Sequence, residues 1–192
     1  MKRRSKKALN KLNQNRRIIE VKSCEKLKSI FSEELNKEIK YRIVAKLKEK
    51  EVKYLNPQFV IPKAGGKFRK MLDCREVNKA TEQLYFKIDG IKEIMQVIQL
   101  KDFATKIDLE ATYHQIKVIE RMSRYFEFRY EGHDCVFKDL PFGYMRNPFI
   151  FYKPLKVEIK AIREQVGVRL VTYMEFLLLL EQDRRALDED TV

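Results

Sequence analysis

The sequence predicts an α+β fold of antiparallel strands packed with helices, and three observations carry the prediction. Residues 1 to about 50 contain no Pro and no Gly, and Ile30, Phe31, Leu35, Ile39, Ile43, Val44 and Leu47 recur at spacings of one, three or four. That spacing describes an amphipathic helix from about Ser29 to Lys50. Beyond Asn56-Pro57 the pattern changes: β-favouring residues 58–63 and 67–73 flank Ala64-Gly65-Gly66, and residues 125–137 alternate about a turn at Gly132. Each reads as a hairpin. Finally, Asn147-Pro148 supplies an N-cap and a first-turn proline for a helix ending near Gly167. Pro154 falls about two turns into that helix, where it removes a hydrogen bond, so a kink or a later start is expected.

Length and charge bound the alternatives. At 192 residues and 44% hydrophobic, the chain suffices for one domain with a core and is too short for two large ones. The net charge of +13 is uneven: residues 1 to 50 hold 17 Lys+Arg against 6 Glu, leaving 24 Lys+Arg against 22 Asp+Glu for the remainder. The basicity belongs to an N-terminal arm. Such an arm suits a polyanion, most often nucleic acid, where neutralised phosphates release counterions; a solvated, partly helical surface explains it equally well.

Cys24, Cys74 and Cys135 lie far apart without a C-x-x-C, and His114 and His133 are the only histidines that could join them. This argues against structural zinc and against a disulfide framework, and makes a reducing, intracellular compartment the default. The basic N-terminus lacks an apolar segment, and the longest greasy stretch, Leu170 to Leu180, is broken by Thr172 and Glu175, so neither a signal peptide nor a membrane span is expected. Lys2-Arg3-Arg4-Ser5-Lys6-Lys7 matches a nuclear import signal, a pattern that arises readily by chance in a basic arm; nucleus and cytoplasm both stay open.

The first hairpin has chemical content. A three-residue loop at Ala64-Gly65-Gly66 would set Lys63 opposite Lys67, and the period of two places Ile61, Lys63, Lys67 and Arg69 on one face. Three cations on one face suit a triphosphate, Lys as a point charge and Arg as a bidentate fork. Composition alone favours a plainer reading, an edge hairpin whose lysines discourage sheet-to-sheet pairing.

Four segments in fixed order then show a resemblance. Phe59-Val60-Ile61-Pro62-Lys63 with Phe68 to Lys79, including Asp73-x-Arg75-x-x-Asn78, is similar to the fingers of retroviral and retrotransposon reverse transcriptases. Thr105 to Tyr113 resembles the palm strand carrying the first metal-binding aspartate, Leu140-Pro141-Phe142-Gly143 the loop facing the nucleotide, and Val171 to Leu177 the hairpin bearing Tyr-x-Asp-Asp. The likeness runs from about Asn56 to Leu180 and is nearest in character to eukaryotic retrotransposons. It implies fingers and palm, RNA-directed DNA polymerase activity, an RNA or DNA template-primer and dNTP as partners, and Mg²⁺ or Mn²⁺ if active. By the same resemblance Lys63 and Arg69 contact the β- and γ-phosphates, Tyr113 is the steric gate against a 2′-hydroxyl, and Phe142 and Gly143 shape the nucleotide pocket. Asp108 and Glu175 are the remaining catalytic metal ligands. Asp73 and Arg75 are assigned to ion pairing within the fingers, and His114 receives no role.

Phosphoryl transfer of this kind uses two divalent cations about 3.5–4 Å apart on hard oxygen ligands. Asp108, after a β-favouring run, is expected to project from a buried strand. At the third segment the chain departs from the family: Tyr173-Met174-Glu175-Phe176 replaces Tyr-x-Asp-Asp. Glu175 moves its oxygens by about 1 to 1.5 Å, and Phe176 has none. A 1 Å misplacement can cost on the order of 10²-fold, so polymerase activity is expected to be very low or absent. Residues 174–187 also read as helix, leaving the hairpin in doubt.

The organisation expected is a basic helical arm (1–50), a fingers/palm domain (51–185) lacking thumb and ribonuclease H, and an acidic tail (186–192). A non-enzymatic nucleic-acid-binding retroelement fragment and a translated relic that folds poorly are the alternatives.

Overall fold

The computed structural model describes residues 10, 12, 25–47, 54–63, 66, 68–173 and 175–191. The import-like run, half of the basic arm, Lys67 and Met174 lie outside the described residues. The chain divides into two compact units, residues 1–84 with 113–147 and residues 85–112 with 148–192.

The first unit begins its described elements with helix α1 (Glu25–Lys40), followed by strand β1 (Val44–Lys46). The expected helix to Lys50 therefore stops a full ten residues early. The Ile43 amide donates to Glu38 and the Arg42 amide to Ile39, with Arg42 at φ 60°. This is a Schellman ending, and Val44-Ala45-Lys46 then gains strand pairing that a helix would forgo. Strands β2 (Gln58–Pro62) and β3 (Phe68–Leu72) form the first hairpin, antiparallel with Ile61 opposite Arg69, the register expected from the sequence. Gly66, in its loop, takes φ 71°, a conformation glycine adopts without a Cβ penalty. Helix α2 (Arg75–Ala80) buries Val77 and Ala80.

Farther along the same unit, α4 (Glu120–Ser123) precedes the second hairpin, β5 (Glu127–Tyr130) and β6 (His133–Phe137), which turns at Gly132 as expected. With β1 it makes a three-stranded sheet in the order β1-β6-β5. Phe31, Leu35, Leu72, Phe126, Phe128 and Val136 are buried in this unit. Among them lies a buried ion pair, Lys70 to Glu38. The Lys70 ammonium stands 5.0, 4.8 and 5.1 Å from the ring centres of Phe31, Phe128 and Phe137. Burial disfavours both charges, drawing Lys70 down and pushing Glu38 up.

The second unit contains α3 (Ile91–Val97), β4 (Phe103–Asp108), nearly all of α5 (Asn147–Val166), β7 (Arg169–Tyr173), β8 (Phe176–Glu181) and α6 (Arg184–Thr191). Its sheet runs β4-β8-β7, antiparallel throughout. The β7-β8 hairpin forms: Tyr173 pairs with Phe176, and residues 176–181 are strand, not helix. A continuous run such as Phe-Leu-Leu-Leu-Leu has no decisive period. Strand pairing on both edges decides it in favour of a central strand. Helix α5 starts at Asn147 and ends at Val166 as expected, passing through Pro154 without a later start.

The core of this unit is Ile159, Val168, Leu170, Leu179 and Leu187, with Ile107, Leu155 and Leu177 against it. Leu187 shows that the acidic end is a packed helix whose apolar position is buried. Ile107, Leu177, Leu179 and Leu170 share one sheet face, so the period of two assigns Lys106, Asp108 and Phe176 to the other. Arg169 braces β7, donating to both carboxylate oxygens of Asp102 at 2.7 and 2.6 Å and to the Val97 carbonyl at 3.1 Å.

Candidate active site

Of the residues that the resemblance assigns to the nucleotide, Arg69, Tyr113, Phe142 and Gly143 gather in the first unit. The guanidinium carbon of Arg69 lies 4.6 Å from the Phe142 ring centre. Tyr113 and His114, in a 3₁₀ turn over Thr112–Gln115, meet that ring edge-on at 5.2 and 5.3 Å. Local hydrogen bonds fix the loop. Leu72 of β3 donates its amide to the Phe142 carbonyl at 3.0 Å, and Asn78 of α2 donates its side-chain amide to the Gly143 carbonyl at 2.9 Å. The Met145 amide donates back to the Asn78 side chain at 2.9 Å, and Asn147 donates to the Pro141 carbonyl at 2.7 Å.

Gly143 is the one residue type that fits its position. It has φ 114°, and a Cβ there would stand 2.1 Å from the Leu72 carbonyl oxygen. Lys63, by contrast, is exposed just past β2. Asp73 and Arg75 pair with each other, with Arg75 nitrogens at 2.8 and 2.5 Å from the two carboxylate oxygens. Arg75 holds the Asp73 carboxyl below the usual carboxylate range. Beside this pair a groove of about 460 Å³ has Phe59 and Met71 as apolar walls and Asp73, Arg75, Asn78 and Gly143 as polar lining.

His114 is neutral at physiological pH. Burial, with a smaller contribution from the Lys70 charge, pushes it down to about 4. Its Nε2 is buried without a hydrogen-bond partner.

The carboxylate side lies in the second unit. Asp108 ends β4, and the expectation of a buried strand is overturned: β4 is an edge strand, and the Asp108 side chain is 74% exposed. The ladder sets Phe176 directly opposite Asp108. Glu175 occupies the turn, half-buried, and its carbonyl accepts from the Leu109 amide at 2.8 Å. Lys106 reaches Asp108 at 3.0 Å and places its ammonium 4.8 Å from the Phe176 ring centre. Tyr173 packs on the same ring at 5.3 Å between centres.

These residues do not fit a pair of divalent cations. Mg²⁺ requires several hard oxygens in near-octahedral array. Opposite Asp108 stands a hydrocarbon ring, and beside Asp108 a cation. Among the described residues, no group of three or more His, Cys, Asp or Glu is gathered so as to hold a metal ion.

Sequence reasoning had assigned no position-specific role to Asn78, to Lys106 or to the Phe142 ring as a platform for Arg69. Lys106 was legible, since its separation of two from Asp108 on a strand puts both on one face. The Asn78 bonds had no local signal, because their partners are 65 and 67 residues away.

The family described as reverse transcriptase (RNA-dependent DNA polymerase) matches residues 61–190. Among curated proteins, the Gag-Pol polyprotein of Walleye dermal sarcoma virus is 25% identical over 137 residues, covering 70% of this chain and 8% of that protein. The Pol polyprotein of transposon gypsy from Drosophila melanogaster is 26% identical over 136 residues, covering 68% of this chain and 13% of its own length. Transposon Tf2-7 polyprotein of Schizosaccharomyces pombe is 25% identical over 151 residues, 78% of this chain and 11% of that protein. The chain thus spans a small part of each relative. Among solved structures, the prototype foamy virus protease-reverse transcriptase (CSH mutant) superposes with a TM-score of 0.74 at 18% identity, covering 92% of this chain and 23% of that one, a likeness of fold. With the family matched over two thirds of its length and the fingers and palm fold shared, the chain belongs to the reverse transcriptase family.

Proposed function

We propose that the chain is a retrotransposon-type reverse transcriptase domain by descent, in which template-directed DNA synthesis is lost or reduced to a trace while binding of nucleic acid and nucleotide phosphates persists. The observation that carries this reading is the register of β4 and β8, in which Phe176 faces Asp108. The family generally uses divalent metal ions. Here the resemblance offers Asp108 and Glu175 as the remaining carboxylates, and neither can replace the oxygen missing at Phe176.

The phosphate-binding half of the proposal rests on the first unit. Arg69 is held over Phe142, a geometry that orients a guanidinium before any ligand arrives and reduces the ordering needed on binding. Lys63 adds an exposed positive charge at the end of β2. Tyr113 packs on the same platform, supporting its assignment as the steric gate. The neighbouring groove, with apolar walls and a hydrogen-bonding rim, has the chemistry of a nucleobase site. None of this requires a metal, which favours the alternative of a non-enzymatic nucleic-acid-binding retroelement fragment over an active polymerase. In the described residues no helix is long and apolar enough to cross a membrane.

Primer extension on an RNA template annealed to a DNA primer, with Mg²⁺ and separately Mn²⁺, tests the reading. The chain is expected to extend nothing above background, and extension by the unaltered chain would overturn the proposal.

A further inference from the structure

The surroundings of Asp108 are more specific than the loss of a ligand. A strand residue two before Asp108 must share its face, and that residue is Lys106. Its ammonium lies 3.0 Å from Asp108 Oδ1 and 4.8 Å from the centre of the Phe176 ring. Phe176 is itself the cross-strand partner of Asp108, so the two attractions on the ammonium come from a facing pair. Tyr173, the β7 partner of Phe176, packs on the ring at an interplanar angle of 49°. All four side chains belong to one face of one three-stranded sheet.

We infer that Lys106 is the resident counter-ion of Asp108: its ammonium, held by the Phe176 ring, occupies the place on that carboxylate that a divalent cation would need. The inference rests on the proposed loss of polymerase chemistry and supplies a second cause for it. An aspartate at position 176 would offer a further oxygen to a metal. A phenylalanine offers its π face, which attracts an ammonium and coordinates no metal. The substitution therefore removes a ligand and adds a hold on the competing cation. Lys106 and Asp108 are 54% and 74% exposed, so the hold is modest, worth about tenfold in competition against a metal.

The test uses the full chain and Mn²⁺ as probe, read as paramagnetic broadening of the backbone amide signals of Leu109 and Glu175. In the unaltered protein, half-broadening should require about ten times more Mn²⁺ than in Lys106→Met. Adding Asp108→Asn to that variant should abolish the gain. Phe176→Leu discriminates further, because it removes the ring without adding an oxygen: it should lower the Mn²⁺ requirement about threefold. Unchanged amide spectra away from the site establish that each variant is folded. Equal Mn²⁺ response in the unaltered chain, Lys106→Met and Phe176→Leu would overturn the inference while leaving the proposed inactivity intact. Primer extension by the unaltered chain would instead remove the proposed function on which it rests.

Discussion

Phe176 stands directly across the β4-β8 ladder from Asp108, so a hydrocarbon ring faces the carboxylate. The hairpin around it is intact, with Tyr173 paired to Phe176 and Leu177 to Thr172. On the proposed function, the loss of activity is therefore one of side chains. Glu175→Asp with Phe176→Asp is expected to raise primer extension by at least about 10²-fold over the unaltered chain, the scale associated with placing a catalytic group to within 1 Å. No gain from this double change would place the defect elsewhere.

Arg69 and Phe142 make the second prediction. Arg69→Ala should weaken binding of a nucleoside triphosphate by about tenfold or more, as charge-assisted hydrogen bonds contribute about 1.5–3 kcal/mol. Arg69→Lys should rescue little, since an ammonium lacks the planar fork. Phe142→Leu should reproduce part of the loss. Titration of a fluorescent triphosphate analogue measures all three.

Gly143 admits no side chain. The φ of 114° alone costs a non-glycine residue about 1–3 kcal/mol, and the 2.1 Å approach of a Cβ to the Leu72 carbonyl adds to it. Gly143→Ala is expected to lower the unfolding free energy, read from urea melts, by that amount or more, with weakened triphosphate binding because Phe142 is displaced with it.

His114 gives the first unit an acid-sensitive term. Its folded value, about 4, lies below the ordinary 6.5, so the unfolded chain binds more protons between these values. Stability is complete above pH 6.5 and falls as pH drops toward 4. The steep part of that window should show about 1.4 kcal/mol per pH unit, and His114→Phe should flatten it in urea melts recorded at each pH.

Much of the fold was legible because its signals are local. The hairpins at Gly66 and Gly132 and the helix from Asn147 follow from turn glycines, alternation and a proline at the first turn. The α1 helix was read too long because Ile43 and Val44 fit both a helical face and a strand, and pairing of β1 with Phe137, far along the chain, decided between them. The same holds for Phe176 to Leu180, whose identity as a central strand depends on the remote β4 as well as on the adjacent β7. At the site, the residue types were legible and their surroundings were not. That β4 lies at the edge of its sheet is set by strand order, which local sequence does not carry.

Binding of a fluorescently labelled RNA–DNA hybrid, followed by anisotropy in Mg²⁺ and in EDTA at equal ionic strength, tests the central claim most directly. The account predicts dissociation constants within about twofold of each other, with affinity falling as salt rises because phosphate contacts dominate. Binding that requires Mg²⁺ and disappears in Asp108→Asn would contradict it, since the carboxylates would then still hold a working metal.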